Sequence, residues 1–345
     1  MFDANSTAAL LGAFGILDRP KAFLLETFFP FEQTFETEEI YFDRVQRARR
    51  LAPFVVPTVA GRPQPSRGYK TGSFTPPYVK PKHVVEPKRA FKRLPGERLL
   101  GEYSPEQRFQ LAILDNMMLE EDDILRREEW MASQLLTSGT MTCSGPDHPP
   151  VVIDVQRNSA HTVALTGGLT WGSAGVDPLQ NLRSWAKTTQ TNSGYHPGTV
   201  VFGPSAGDNF INSPTVTKIM QSFRQTTGNI DLAGKVTGGA LGEEVKYLGS
   251  LPEFDFFQYQ ALYTDDTGTV QKFMPDNGVI MGNRGGAAGV RTYGAIRDKR
   301  GNFRALPRFP KVWDEEDPSV TLTMTQSAPL PLLGWADATF YALTA

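Results

Sequence analysis

The sequence predicts an α+β fold, and three observations lead there. A basic, proline-rich stretch over 53–98 is too interrupted for a helix but carries short runs of β-branched and aromatic residues. An uninterrupted helical pattern begins at 104. Beyond 140, strand-like and helix-like segments mix, and the chain closes on an alternating strand.

The chain has 345 residues, 40% hydrophobic and 21% charged, which is globular composition for about two domains or one domain with large extensions. Lys plus Arg number 35 and Asp plus Glu 37, for a net charge of −2, so the chain as a whole is no polyanion binder. A single cysteine, Cys143, excludes an intrachain disulfide and zinc sites built on several thiolates. No stretch approaches the roughly 18 apolar residues of a membrane span. No basic leader precedes the apolar start, so neither export nor a membrane partner is expected.

Taken in order, residues 1–43 hold a helix candidate at 7–16 and an aromatic run, Phe23, Phe28, Phe29, Phe31 and Phe35, broken by Pro30. So short a segment cannot bury that much ring surface alone. Nine prolines punctuate 53–98. FVVPTV (54–59), YVKPKHVV (78–85) and RAFKRL (89–94) nonetheless predict an extended two-stranded loop with proline on its edges. Over 61–100 ten basic residues face two acids, a local excess of +8. A loop of about 45 residues inside a compact chain usually has a task.

Ser104-Pro105-Glu106-Gln107 is a capping box with proline at the first helical position. Behind it, Ile113, Met117, Ile124, Met131 and Leu135 trace one helical face, and Gly139 is the expected stop. Such a rod spans roughly 50 Å. Its acids, among them Glu120, Glu121, Asp122 and Asp123, are expected on a solvated or partner-facing side. Further on, 151–155 and 199–203 predict strands, and 178–191 and 214–226 predict helices. A hairpin is expected to turn at Asp265-Asp266-Thr267-Gly268. Val320, Leu322 and Met324 alternate with threonines as a half-buried strand.

Candidate chemistry is thin. Gly203-Pro204-Ser205-Ala206-Gly207 matches G-x-S-x-G after a strand, as a hydrolase nucleophile would. None of the four histidines, His83, His148, His161 and His196, follows Ser205, although that fold needs one there. GGALGEE (238–244) and GNRGGAAG (282–289) match neither phosphate-binding glycine pattern. Consecutive helical carboxylates at 120–123 point apart and cannot share one ion, and His148, Asp154 and His161 lack diagnostic metal spacing. No cofactor is expected. Two alternatives stay open: a serine hydrolase using Ser205, and a nucleic-acid-binding protein using 61–100, where Tyr69, Phe74, Tyr78 and Phe91 interleave with cations.

Several stretches, in order and at fitting spacings, resemble one family. They are FTPPYVKPKHVVEP (74–87) with RLPGE (93–97), FMPDNGVIMGN (273–283) with RTYGAI (291–296), and RFPKVWDEEDPS (308–319) with MTQSAPLPLL (324–333). The chain is similar to the major capsid proteins of lambda-like tailed bacteriophages, in the group with the HK97 capsid fold. The resemblance implies an N-terminal arm (1–45), an extended β-hairpin E-loop (46–102), a P-domain with a long spine helix (103–160, helix about 104–137), an α/β A-domain (161–314) and a C-terminal P-domain strand (315–345).

It also implies hexamers and pentamers that close an icosahedral shell around the genome, in the virion after assembly in the host cytoplasm. The implied partners are copies of the chain, a separate scaffold protein, a portal, a decoration protein, and packaged double-stranded DNA met without sequence specificity. The resemblance singles out no crosslinking pair of residues. Intersubunit contact is expected from Lys80, Lys82, Arg89, Lys92 and Arg93 of the loop, from Phe28, Phe29 and Phe31 of the arm, and from Glu120, Glu121, Asp122 and Asp123 of the spine helix.

Overall fold

The computed structural model describes residues 22–45, 51–52, 54–58, 60–61, 68–93, 103–145, 147–219, 244–284, 289–301 and 304–345. The helix expected at 7–16 lies outside them, as do Arg62, Arg67 and Arg98 of the basic loop and most of GGALGEE.

The chain opens with α1 (Phe23–Phe28), β1 (Phe31–Thr34), β2 (Ile40–Val45), β3 (Tyr69–Phe74) and β4 (Lys82–Val85), then a 3₁₀ turn over Pro87–Phe91. The long helix α2 (Pro105–Ser138) leads to the hairpin of β5 (Thr140–Gly145) and β6 (His148–Asp154). Next come β7 (Thr162–Ala164), α3 (Pro178–Ser193), β8 (Thr199–Phe202), α4 (Pro204–Ile211), β9 (Val245–Ser250) and β10 (Asp255–Tyr259). The strands β11 (Leu262–Thr264), β12 (Val270–Lys272), β13 (Gly278–Gly282) and β14 (Gly289–Tyr293) follow. The chain ends with β15 (Phe309–Glu315), β16 (Val320–Gln326), β17 (Pro329–Leu333) and β18 (Phe340–Leu343).

Helix α2 forms as its sequence dictates. Ser104 Oγ accepts the Gln107 N–H at 3.2 Å, and Gln107 Oε1 accepts the Ser104 N–H at 2.9 Å. Gly139 ends the helix in the left-handed region at φ +73°, its N–H on the Leu135 carbonyl. Arg157 adds a second cap, donating to the Leu136 and Thr137 carbonyls at 2.6 Å each.

A six-stranded sheet, ordered β7-β18-β13-β8-β10-β9, forms the centre. Alternation divides its side chains between two cores. Val200, Phe202, Phe256, Val279 and Met281 pack with α3 and α4. Val201, Phe257 and Ile280 face the other way, toward α1 and the C-terminal half of α2. Two three-stranded sheets flank it, β1-β14-β17 and β15-β16-β4. The latter lies on the N-terminal half of α2 through Val85, Ile113, Met117 and Val312.

Three expectations change. The expected two-stranded ladder is formed by β2 and β3, neither of which contains proline, and 54–58 carries no strand. The run at 89–94 yields the 3₁₀ turn, because Pro87 fixes φ at its first position. On β16 the threonine face, Thr321, Thr323 and Thr325, is the fully buried one, with Thr323 and Thr325 covered by α2, while Val320 and Met324 are half-buried. β18 pairs with β13 and β7 in the six-stranded sheet.

Candidate assembly interface

The described aromatic segment, residues 22–29, folds onto its own body. Phe23, Leu24, Leu25, Phe28 and Phe29 are buried with Leu135, Ile280 and Leu332. Phe28 and Phe29 were expected against a neighbouring subunit; the rings instead meet glycines of this chain. A Cβ at Gly282 would stand 2.5 Å from Phe28 Cε1, and one at Gly289 2.1 Å from Phe29 Cδ1. Only hydrogen leaves room for the rings there, which gives Gly282 and Gly289 a packing role. Phe31 is half-exposed on β1, an edge strand whose four side chains all face solvent.

The acids of α2 also turn inward. Glu120 is fully buried and accepts from Thr323 Oγ1 at 2.6 Å and Thr325 Oγ1 at 2.7 Å, with His83 Nδ1 at 3.4 Å. Burial pushes its carboxyl above the usual range, against those hydrogen bonds. Glu121 and Glu128 converge on Arg308, which gives Nε to Glu121 at 2.8 Å and Nη1 and Nη2 to Glu128 at 2.7 and 3.0 Å. The expectation of a solvated or partner-facing side therefore fails for Glu120 and Glu121. Carboxylates seven apart on a helix share a face, so one guanidinium reaches both. That spacing was the signal available in the sequence. Asp122 pairs with Arg126 one turn on, and Asp123 is exposed.

The basic loop residues are where a partner can reach them. Lys80, Lys82, Arg89, Lys92 and Arg93 are all exposed. Lys80 lies 4.8 Å over the Tyr78 ring and Lys82 5.2 Å over the Trp313 ring. Phe91 stands out beside them, and Leu51, Phe54, Val55 and Val56 form a second exposed apolar run. Scattered exposed apolar residues are ordinary, but runs of this kind mark contact surfaces.

The serine lead dissolves in geometry. Ser205 sits exposed in the first turn of α4. Each histidine ring is engaged elsewhere: His83 with Glu120, His148 with the Pro149 carbonyl, His161 with the Thr339 carbonyl and Asn192, and His196 with the Glu253 carbonyl. Gly203 is needed for packing, because a Cβ there would lie 2.2 Å from the Pro275 carbonyl oxygen. Burial pushes the Cys143 thiol up to about 11, which leaves it unreactive. Among the described residues no three His, Cys, Asp or Glu side chains are grouped to hold a metal, and no helix is long and apolar enough to cross a membrane.

Comparison with known proteins agrees with an assembly surface rather than a catalytic centre. The chain matches the phage major capsid protein E family over residues 6–343. It is 32% identical to the major capsid protein of Escherichia phage lambda over 339 residues, covering 96% of each chain. It is likewise 32% identical to the major capsid protein of Escherichia phage N15, covering 91% of each. In structure it is similar to a prophage capsid protein from E. coli CFT073, with a TM-score of 0.74 at 22% identity over 99% of both chains. It also shares the fold of the cyanophage P-SCSP1u capsid, with a TM-score of 0.52 at 9% identity, over 95% of this chain and 90% of that one. The fold is the HK97-like capsid fold, in its α+β form, and the chain belongs to the phage major capsid protein E family.

Proposed function

We propose that the chain is the shell subunit of a lambda-like phage head. Copies assemble as hexamers and pentamers into an icosahedral capsid that encloses the genome in the virion. The observation that carries this reading is end-to-end similarity to the lambda major capsid protein, 32% over 96% of both chains. The exposed loop cations and the exposed Leu51, Phe54, Val55 and Val56 support it, as surfaces that a neighbouring copy can cover. Lys80, Lys82, Arg89, Lys92 and Arg93 are the proposed loop contacts. With Glu120 and Glu121 used internally, their counter-charges lie elsewhere on the neighbour; Asp123 and Phe31 are exposed, and Asp122, half-buried and paired with Arg126, is the less accessible acid. A separate scaffold, a portal and a decoration protein are the further partners, and assembly takes place in the host cytoplasm. A near-neutral chain, at −2, suits an inner wall along which packaged double-stranded DNA slides without sequence-specific contact.

Electron microscopy of the purified full-length protein at high concentration tests the reading. Shells or capsomers are expected. Monodisperse monomers under every assembly condition, with and without scaffold, would overturn it.

A further inference from the structure

Glu129 on α2 is the point at which the N-terminal segment is fastened to the long helix. Its side chain is 3% exposed. Oε1 accepts the Leu24 N–H and the Tyr259 O–H, each at 2.8 Å, and Oε2 accepts the Leu25 N–H at 2.8 Å. Around these contacts Phe23, Leu24, Leu25, Phe28 and Phe29 bury the segment's apolar face.

The electrostatic setting of this carboxyl is unusual. Glu121 and Glu128 share a buried arginine, whereas among the described residues no cation touches Glu129. The charged groups facing it are Glu26 from α1, Asp122 and Arg126 from α2, and Glu244 ahead of β9, with the Tyr259 hydroxyl from β10. Arg126 is already committed to Asp122, at 3.2 Å. A cavity of about 50 Å³, lined by Ala22, Asp122, Arg126, Glu244 and Tyr259 among others, borders the carboxyl and gives protons a route to it. A buried carboxylate without a counter-ion is costly to ionise, and it recovers its hydration only when the segment above it lifts.

We propose that Glu129 is a proton-operated clasp: the segment 22–29 sits firmly on the long helix while the carboxyl is protonated, and loosens as it ionises. Burial pushes the Glu129 carboxyl from 4.5 up to about 7, against the three hydrogen bonds that favour its charged form. The sign follows from linkage. The docked state holds the proton up to about 7, and the undocked, hydrated carboxyl loses it near 4.5. Docking is therefore strongest below the lower value and weakens as pH rises between the two. The device belongs to the single chain and does not depend on the shell reading.

Hydrogen exchange of the Leu24 and Leu25 amides in the full-length chain reads it directly. After correction for intrinsic rates, protection is expected to fall up to tenfold per pH unit between 5 and 7 and then to level off. Glu129→Gln should remove that slope while the exchange of β8 and β13 amides stays unchanged. Tyr259→Phe removes a donor to the ionised form, so the levelling should move to higher pH. A flat or rising profile in the wild type, or the same slope in Glu129→Gln, would overturn the clasp. Should Glu129→Gln not fold, the wild-type slope and the direction of the Tyr259→Phe shift still decide it.

Discussion

Arg308 and Glu128 meet in a two-pronged ion pair, Nη1 on Oε1 at 2.7 Å and Nη2 on Oε2 at 3.0 Å, and both side chains are almost wholly buried. The same guanidinium holds Glu121 through Nε and lies 5.7 Å over the Tyr293 ring. Four parts of the chain join there: the middle of α2, the entrance to β15, β14, and Ser327 after β16.

Removing Arg308 strands two carboxylates in the interior. Arg308→Ala is expected to cost about 3–5 kcal/mol, because each carboxylate loses its partner without regaining water. Urea unfolding of the isolated chain measures it. Replacing Arg308, Glu121 and Glu128 together by apolar residues of matching volume should cost much less than the single change. Equal losses for the single and triple variants would show that the cluster contributes packing rather than charge pairing.

Gly289 is the tightest of the ring-to-glycine contacts. A Cβ there would be 2.1 Å from Phe29 Cδ1 and 2.8 Å from the Leu332 carbonyl oxygen, so backbone as well as ring would have to move. Gly289→Ala is expected to destabilise by about 1–3 kcal/mol, the usual range for overpacking. Gly168 has nothing within 4 Å of its would-be Cβ, and Gly168→Ala should stay within about 0.5 kcal/mol of wild type. Thermal or urea denaturation of the pair separates a steric cost from a general intolerance of alanine.

The legible and illegible parts of this fold differ in how far apart their partners lie. The long helix was readable because its signals are local: Ser104, Pro105 and Gln107 within four residues, and Gly139 just past the end. The strands at 151–155 and 199–203, the helix at 178–191 and the Asp265 hairpin were readable for the same reason, through period and turn chemistry. The burial of Glu120 was not, because its acceptor role depends on Thr323 and Thr325, two hundred residues away. A threonine face on a strand reads as solvated unless a buried carboxylate is known to cover it. Phe28 and Phe29 failed likewise: their surface is matched by glycines at 282 and 289, and a missing side chain leaves no pattern to read. Membership of the capsid family was legible from scattered stretches, while the contacting residues were not, since the chain spends several of its charges on itself.

The basic loop makes a prediction at the level of assembly. Lys92 and Arg93 are exposed just after the 3₁₀ turn, so reversing their charge leaves the described core alone. Lys92→Glu with Arg93→Glu should leave the circular dichroism of the free subunit unchanged and cut shell yield at least tenfold by electron microscopy and sedimentation. The defect should deepen at low salt, where like charges across an interface repel further. Normal shells from this variant would remove the loop from the list of contacts.

The last prediction concerns how the long helix is joined to the six-stranded sheet. Arg157 donates to the Leu136 and Thr137 carbonyls and to Thr162 Oγ1 at 2.8 Å, so one side chain ties the C-terminal turn of α2 to the start of β7. Burial depresses its guanidinium to about 10, still charged at neutral pH, and a positive charge at a helix C-terminus is itself favourable. Gly139 sits directly beneath, its would-be Cβ 3.2 Å from Arg157 Cβ in a left-handed backbone position. Arg157→Ala is expected to cost about 2–3 kcal/mol, as charge-assisted hydrogen bonds are lost and helix carbonyls are left without a donor. Arg157→Lys should fall between, since an ammonium cannot span three acceptors in the plane of a guanidinium. Gly139→Ala alone should cost about 1 kcal/mol for its backbone, plus whatever it takes to displace Arg157. Once Arg157 is already alanine, its Nε and Cζ, 3.3 and 3.6 Å from that Cβ, no longer stand in the way, and only the Cβ contact stays. A double-mutant cycle by urea unfolding should therefore show the two losses adding to less than their sum, by at least about 0.5 kcal/mol. Strict additivity would mean that the arginine and the glycine terminate the helix independently, and that the clamp is not one unit.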